Sequence, residues 1–291
     1  MSLFAADSDG AYMFLDDKRM TDGTLTGELY ASGENVFFSV RTEDGYAFYV
    51  YSMEQKSYRR LCSGIGSTGR WLVKDEVLYF TTYTSPGSEV VSLHQCDTAN
   101  ATVSEIYDYV LWFGVTGDDL YYVTESTTFQ LWKYRRGAQP VLMCDALAAE
   151  PGEDINALGI TEDVFIYQPS AQPSNAVTVY DLNKQTFATH LLPLPVQTFT
   201  VAEKYAFMTL YSEQPYLSEP METKENGLYR LNLQNGKWSL WQSEVVEAKS
   251  LFAVDDDCVL VSVLKNENFL ARTAVYKIED SAKNPLLLYI Y

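Results

Sequence analysis

Apolar and polar positions along this chain fall into a repeated unit. A short strand pattern runs into an acidic turn, and an apolar, aromatic-rich strand pattern follows. The unit reads Leu29-Tyr30-Ala31-Ser32-Gly33-Glu34-Asn35-Val36-Phe37-Phe38 and returns as Trp71-Leu72-Val73-Lys74-Asp75-Glu76-Val77-Leu78-Tyr79-Phe80. A third copy is Phe113-Gly114-Val115-Thr116-Gly117-Asp118-Asp119-Leu120-Tyr121-Tyr122, and further copies lie at 158–167, 199–208 and 251–261. With Val36, Val77, Leu120, Val164, Ala206 and Val259 as equivalents, the steps are 41, 43, 44, 42 and 53 residues.

Each copy is followed by a third strand pattern, at 47–53, 89–96, 130–136, 176–182, 227–233 and 273–279. Most of these alternate apolar and polar residues, as a half-buried strand does. Fourth strands are expected at 57–62, 102–107, 140–144, 187–192, 237–242 and 285–291. Turn formers stand between them, among them Asp44-Gly45, Pro86-Gly87, Asn226-Gly227 and Asn235-Gly236. Four strands in just over forty residues predict an all-β fold, a β-propeller of four-stranded blades. The reason is coverage: one meander cannot bury both of its faces, and a neighbouring blade on each side does so. The N-terminal stretch 3–14 parallels strands one and two, and 16–27 leaves room for one strand more. The expected count is therefore seven blades with a degenerate first; six blades and an N-terminal extension is the alternative. The rich loops 145–154 and 211–226 read as loops of one propeller, so 1–291 is expected to be a single domain.

Composition agrees with a sheet protein. The chain has 22 Tyr, 14 Phe and 5 Trp among 291 residues, and aromatic side chains suit a pleated, half-buried surface. Its formal net charge is −18, from 21 Lys and Arg against 39 Asp and Glu, which argues against nucleic acid or anionic lipid as partner. The longest strongly apolar stretches, 110–115 and 286–291, are too short to span a membrane as a helix. No basic start followed by an apolar core is visible, so no export signal is read in the chain.

Two second strands, Leu78-Tyr79-Phe80-Thr81-Thr82 and Leu120-Tyr121-Tyr122-Val123-Thr124, are similar to the Tyr-Trp-Thr-Asp repeat. The stretch Gly227-Leu228-Tyr229-Arg230-Leu231-Asn232-Leu233-Gln234-Asn235-Gly236 resembles the strand that follows that repeat. Together they resemble the lipoprotein-receptor-like propellers, in an uncharacterised bacterial branch. The Asp of the receptor repeat is missing from both copies. The resemblance implies an extracellular or cell-surface protein with a binding role, and it carries over no catalytic residue. No Trp-Asp dipeptide, Gly-Gly dipeptide or Ser-x-Asp-x-Gly box occurs, which disfavours WD40, kelch and sialidase propellers.

Candidate chemistry is sparse. Gly64-Ile65-Gly66-Ser67-Thr68-Gly69 matches G-x-G-x-x-G, but a strand pattern follows it, with no helix to hold pyrophosphate, so a flexible loop between blades is expected. Cys62, Cys96, Cys144 and Cys258 are 34, 48 and 114 residues apart, with no C-x-x-C pair. Three disulfide pairings are open, and the plainer reading is four apolar thiols. His94 and His190 alone give little material for metal binding or a Ser-His-Asp triad.

The turns between first and second strands are acidic at Asp7, Asp9, Glu34, Asp75, Glu76, Asp118, Asp119, Glu162, Asp163, Glu203 and 255–257. Equivalent hairpins place these carboxylates on one rim. The plainer reading is a solvated rim with Asp as turn former; the sharper one is Ca2+ held by Asp255, Asp256 and Asp257. The basic run Lys133-Tyr134-Arg135-Arg136 reads as a solvated outer edge. At the opposite ends of the blades, Arg70, Tyr83, Tyr109, Trp112, Tyr211 and Tyr216 are expected near the channel mouth. Exposed rings with one cation suit a peptide, glycan or protein partner. The function expected is a monomeric, non-enzymatic binding module. The alternative is a propeller hydrolase or lyase using carboxylates or tyrosines at that mouth.

Overall fold

The computed structural model describes residues 4–7, 10–13, 18–19, 24–43, 45–65, 68–83, 91–147, 154–170, 175–211, 226–243, 248–267, 270–279 and 286–290. Among these, the strands form seven sheets, one of three strands and six of four. Blade 1 is Phe4–Asp7, Gly10–Met13 and Lys18–Arg19. Blade 2 is Thr24–Ser32, Asn35–Thr42, Gly45–Ser52 and Ser57–Ile65. Blade 3 is Thr68–Lys74, Val77–Tyr83, Val91–Asp97 and Thr102–Tyr107. Blade 4 is Val110–Thr116, Asp119–Glu125, Phe129–Tyr134 and Val141–Cys144. Blade 5 is Ile155–Ile160, Val164–Pro169, Ala176–Asp181 and Thr186–Leu191. Blade 6 is Val196–Val201, Tyr205–Leu210, Gly227–Asn232 and Trp238–Gln242. Blade 7 is Ala248–Asp255, Cys258–Glu267, Leu270–Glu279 and Leu286–Ile290. The fold is a multi-blade β-propeller with a reduced first blade, as the repeat predicts.

The chain divides into two compact units: Met1–Phe113 with Val123–Glu125, and Gly114–Tyr122 with Ser126–Tyr291. Within each unit the first strands of consecutive blades are neighbours. In the first unit, Thr24–Ser32 contacts both Phe4–Asp7 and Thr68–Lys74. In the second, Val196–Val201 contacts both Ile155–Ile160 and Ala248–Asp255.

Alternation along the strands decides which blade each side chain meets. In blade 6, Ala206, Met208 and Leu210 join Val164, Ile166, Val177 and Val179 of blade 5. Phe207 and Leu228, one register step away, join Val259, Val261 and Ile278 of blade 7. In blade 2, Phe37 and Phe48 pack with Trp71, Leu78 and Phe80 of blade 3, whereas Phe38, Val40, Ala47 and Tyr51 form a cluster on the other face. Second strands are therefore apolar on both faces, and they read as continuous runs such as Val77-Leu78-Tyr79-Phe80. Fourth strands have one neighbour and stay exposed at most positions, as in Thr102–Tyr107 and Thr186–Leu191.

Turn chemistry recurs between third and fourth strands. Asp97, Asp181 and Asn232 each accept two backbone N–H bonds on one side-chain oxygen, from residues two and three further on. Each turn ends in a left-handed residue: Ala101, Gln185 and Gly236. At Gly236 (φ +69°) there is also no room, because a Cβ would stand 2.2 Å from Cε1 of His190. Gly236→Ala is therefore expected to lower stability by about 1–3 kcal/mol, read as a lower urea midpoint with an unchanged far-UV spectrum. An unchanged midpoint would contradict this packing.

Candidate functional site

The blades have two kinds of end, and they carry different chemistry. At the end with the acidic turns, the turn backbone and several of the carboxylates are engaged within the protein. The residue after each turn former donates its N–H across to the carbonyl of the acidic turn in the same blade. The pairs are Met53 to Glu34, Thr98 to Glu76, Leu182 to Asp163 and Leu233 to Lys204, at 2.8–3.0 Å. Asp119 is buried and takes Lys133 Nζ at 2.6 Å, Arg135 Nε at 2.7 Å and Arg135 Nη2 at 3.0 Å. Burial alone would raise the pKa of Asp119; the hydrogen bonds from Arg135 and Lys133 outweigh it and hold the carboxyl below its ordinary value. The basic run is thus no purely solvated edge, because two of its cations fold back on a carboxylate that the sequence places on the open rim.

The aspartates expected to hold Ca2+ have other work. Asp255 Oδ1 accepts the N–H of Asp257 at 2.8 Å. Asp256 accepts the backbone N–H of Lys204 at 2.7 Å and faces its ammonium at 3.7 Å, tying blade 7 to blade 6. Among the described residues, no group of three or more His, Cys, Asp or Glu is placed to hold a metal ion. A cavity of about 380 Å³ lies at this end between blades 5 and 6. Asp163, Asp181, Lys184, Glu203 and Lys204 help line it. Asp181 and Lys184 pair there at 2.7 Å, and Asn183 donates to Asp163 at 3.0 Å.

The other end is where the first strands break register. Between the pairs Thr68↔Thr82 and Trp71↔Phe80, both Gly69 and Arg70 oppose the single residue Thr81, which is a β-bulge. A Cβ at position 69 would stand 2.7 Å from Oγ1 of Thr81, and that hydroxyl donates to the Arg70 carbonyl at 3.1 Å. Only glycine fits this approach. Gly69 therefore belongs to a bulged strand, not to the flexible loop that the glycine pattern predicts. Similar register breaks occur at 25/29 in blade 2, 157/159 in blade 5, 196/198 in blade 6 and 248/250 in blade 7.

The bulge aims Arg70 at blade 4. Its guanidinium carbon lies 5.1 Å from the centroid of the Trp112 ring and 5.7 Å from that of Phe113. Arg70 is exposed while Trp112 is 9% exposed, so the cation stands on a buried aromatic floor. Tyr83 is 40% exposed, and its hydroxyl lies 3.9 Å from the point that a Cβ on Gly69 would occupy. Tyr109, 60% exposed, holds the turn into the strand of Trp112 with φ 59°, a rare conformation for a ring-bearing residue. Four expected residues thus lie on two consecutive blade ends, with Arg70 and Trp112 in direct contact. Tyr211 belongs to the second unit, half-buried, where its N–H donates to the Pro195 carbonyl at 3.1 Å. Tyr216 lies outside the described residues.

Sequence reasoning missed Phe113 and the surroundings of His94. Nε2 of His94 is 2.9 Å from the Thr82 hydroxyl, and its ring stacks on Phe80 at 5.2 Å. Thr82 and His94 are diagonal neighbours across paired strands, since Ser92 faces Thr82 and Phe80 faces His94. Burial lowers the His94 pKa against the opposing pull of Glu105 and Asp108, so the ring is neutral at pH 7. A neutral imidazole bonded to a hydroxyl can accept its proton.

No family model and no curated protein matches the sequence. Among solved structures, the chain is similar to TolB from Acinetobacter baumannii, with a TM-score of 0.52 and 9% identity over 99% of this chain and 81% of that one. It is also similar to a prolyl endopeptidase, with a TM-score of 0.58 and 10% identity over 91% of this chain and 49% of that one. The chain therefore spans about half the length of that enzyme. At such identities the likeness shows the fold, a β-propeller.

Both histidines have a pKa lowered below 6.5 by burial. As pH falls through 6.5 the unfolded chain takes up protons that the folded chain refuses, so stability drops until the folded pKa values are passed. Asp119 and Asp181 are held below 3.8, so their contribution persists through this window and fades only in stronger acid. Melting curves from about pH 7.5 to about pH 5 should show Tm beginning to fall near the histidine range. Replacing both histidines by Gln should flatten that slope; an identical slope would refute the assignment.

Proposed function

We propose that the whole chain works as one propeller domain, a monomeric and non-enzymatic binding module outside the cytoplasm, extracellular or at the cell surface. Its site is the bulged end of blades 3 and 4, and its partner is a peptide, a glycan or a protein. The observation that carries this reading is Arg70, pushed out by a β-bulge and seated over Trp112 and Phe113 beside two exposed tyrosines. Rings held by packing offer contact area at low entropic cost, and a guanidinium fixed over them offers directed hydrogen bonds. The placement outside the cytoplasm, like the finer likeness to lipoprotein-receptor propellers, rests on the strand motifs.

A hydrolase or lyase is the second reading, favoured by the contact between His94 and the Thr82 hydroxyl near the same blade end. The likeness to prolyl endopeptidase concerns the fold, and its chemistry is not transferred.

Screening the full chain against peptide and glycan arrays separates the readings. Wild-type protein is expected to retain a ligand without consuming it. Arg70→Ala and Trp112→Leu should each weaken retention about tenfold, because the cation–π contact and the charge-assisted ligand bonds it orients are together worth on that scale. Arg70→Ala should leave the melting temperature nearly unchanged, since its side chain is exposed. Retention untouched by both variants would remove the site. Turnover of peptide or ester substrates that is lost in His94→Gln would establish the enzyme instead.

A further inference from the structure

Three ways of pairing the four cysteines are open in the sequence, and the structure brings one pair of them together. Cys62 lies in the fourth strand of blade 2 and Cys96 in the third strand of blade 3. Their thiols are hydrogen-bonded to each other. Both belong to the apolar layer between the two blades, where Phe48, Leu61, Trp71, Leu78 and Phe80 surround them. A second tie fixes the same strands: the Arg59 guanidinium, three residues before Cys62, donates to the carbonyl of Thr98, two residues beyond Cys96. In the second unit, Cys144 has the Tyr180 hydroxyl as its side-chain partner, and Cys258 has Lys277 and acidic groups nearby.

We propose that Cys62 and Cys96 form a redox pair that closes into a disulfide joining blade 2 to blade 3. The oxidant is a low-molecular-weight disulfide, RSSR. Cys62 is half-buried and Cys96 fully buried, so the exchange begins at Cys62. Its thiolate attacks one sulfur of RSSR, an S–S bond forms to Cys62, and RS⁻ leaves. The Cys96 thiolate then attacks the Cys62 sulfur, and a second RS⁻ leaves. The protons of both cysteines pass to the two leaving thiolates, so two thiols and RSSR become one protein disulfide and two RSH. In the reduced pair Cys62 donates to Cys96, which pushes the Cys62 thiol up and holds the Cys96 thiol down.

The cross-link would act on the layer that holds Trp71, the residue next to Arg70. It does not depend on the binding reading, since it concerns the joint between blades and not what their ends recognise.

The test equilibrates the purified full chain with oxidised or reduced glutathione, then combines thiol counting, non-reducing peptide mapping and melting curves. Oxidation is expected to remove two reactive thiols, to yield a Cys62–Cys96 linked peptide, and to raise Tm by about 5–10 °C. Cys62→Ser and Cys96→Ala should each abolish the linked peptide and the rise. Cys62→Ser alters a half-buried position and is the milder probe; the wild-type map decides the case even where a variant fails to fold. A linked peptide from any other pair would overturn the proposal. So would a glutathione adduct persisting on Cys62, or four thiols still reactive in unfolding solvent after oxidation.

Discussion

In blades 2 to 6 the second strand has almost no face it can show to water, and the rest of the structure answers to that constraint. Phe207 and Met208 are adjacent in sequence and point into different layers, one shared with blade 7 and the other with blade 5. Each large apolar side chain so covered contributes about 1.5–3 kcal/mol. A blade taken alone would leave half of that apolar surface wet. Repetition is the physical remedy: every copy supplies the cover that its neighbour lacks. The fourth strand, with nothing beyond it, is where polar residues and scattered exposed rings are tolerated.

Once the sheets are stacked, the backbone at their ends must still find partners, and the two ends solve this differently. At the acidic end, carbonyls of one turn receive N–H groups from the next, and Asp or Asn side chains fold over their own loops. Asp119 and Asp256 receive cations and N–H groups from other strands. Part of the negative charge that looks available for calcium, at Asp119, Asp255 and Asp256, is therefore structural. At the other end the first strands bulge, so side chains are pushed out of the ladder. That end has the directed cation, the exposed tyrosines and the neutral histidine.

The repeat was readable because it is a matter of spacing and alternation, and both survive in one dimension. Strand order, the reduced first blade and the turn formers at Asn235-Gly236 all follow from it. What could not be read depends on register. Gly69 looks like a loop glycine until its pairing shows two residues opposing Thr81. The run Lys133-Tyr134-Arg135-Arg136 looks solvated until Asp119 is found beneath it, 14 and 16 residues earlier in the chain for Lys133 and Arg135. His94 and Thr82 carry no shared motif; they meet because a diagonal across paired strands puts them on one face. Cys62 and Cys96 are likewise joined by stacking between blades, which spacing alone does not encode.

The bulge is where the fold exempts a position from its packing rule. Apolar positions of the second and third strands are fixed by the neighbours on either side, and a change there is felt in two layers at once. A residue at a bulge can be released from that obligation, because the ladder has already been broken around it. In blade 3 it is Arg70, in blade 6 Gln197, and in blade 7 Lys249, all exposed, whereas Leu158 at the blade 5 bulge still packs against the core. Their side chains differ in charge and reach while the backbone device stays the same. A repeated scaffold with an exposed position at the same end of several blades can vary those side chains without altering how it stands. Arg70 is the copy in which an aromatic floor, Trp112 and Phe113, lies under that position.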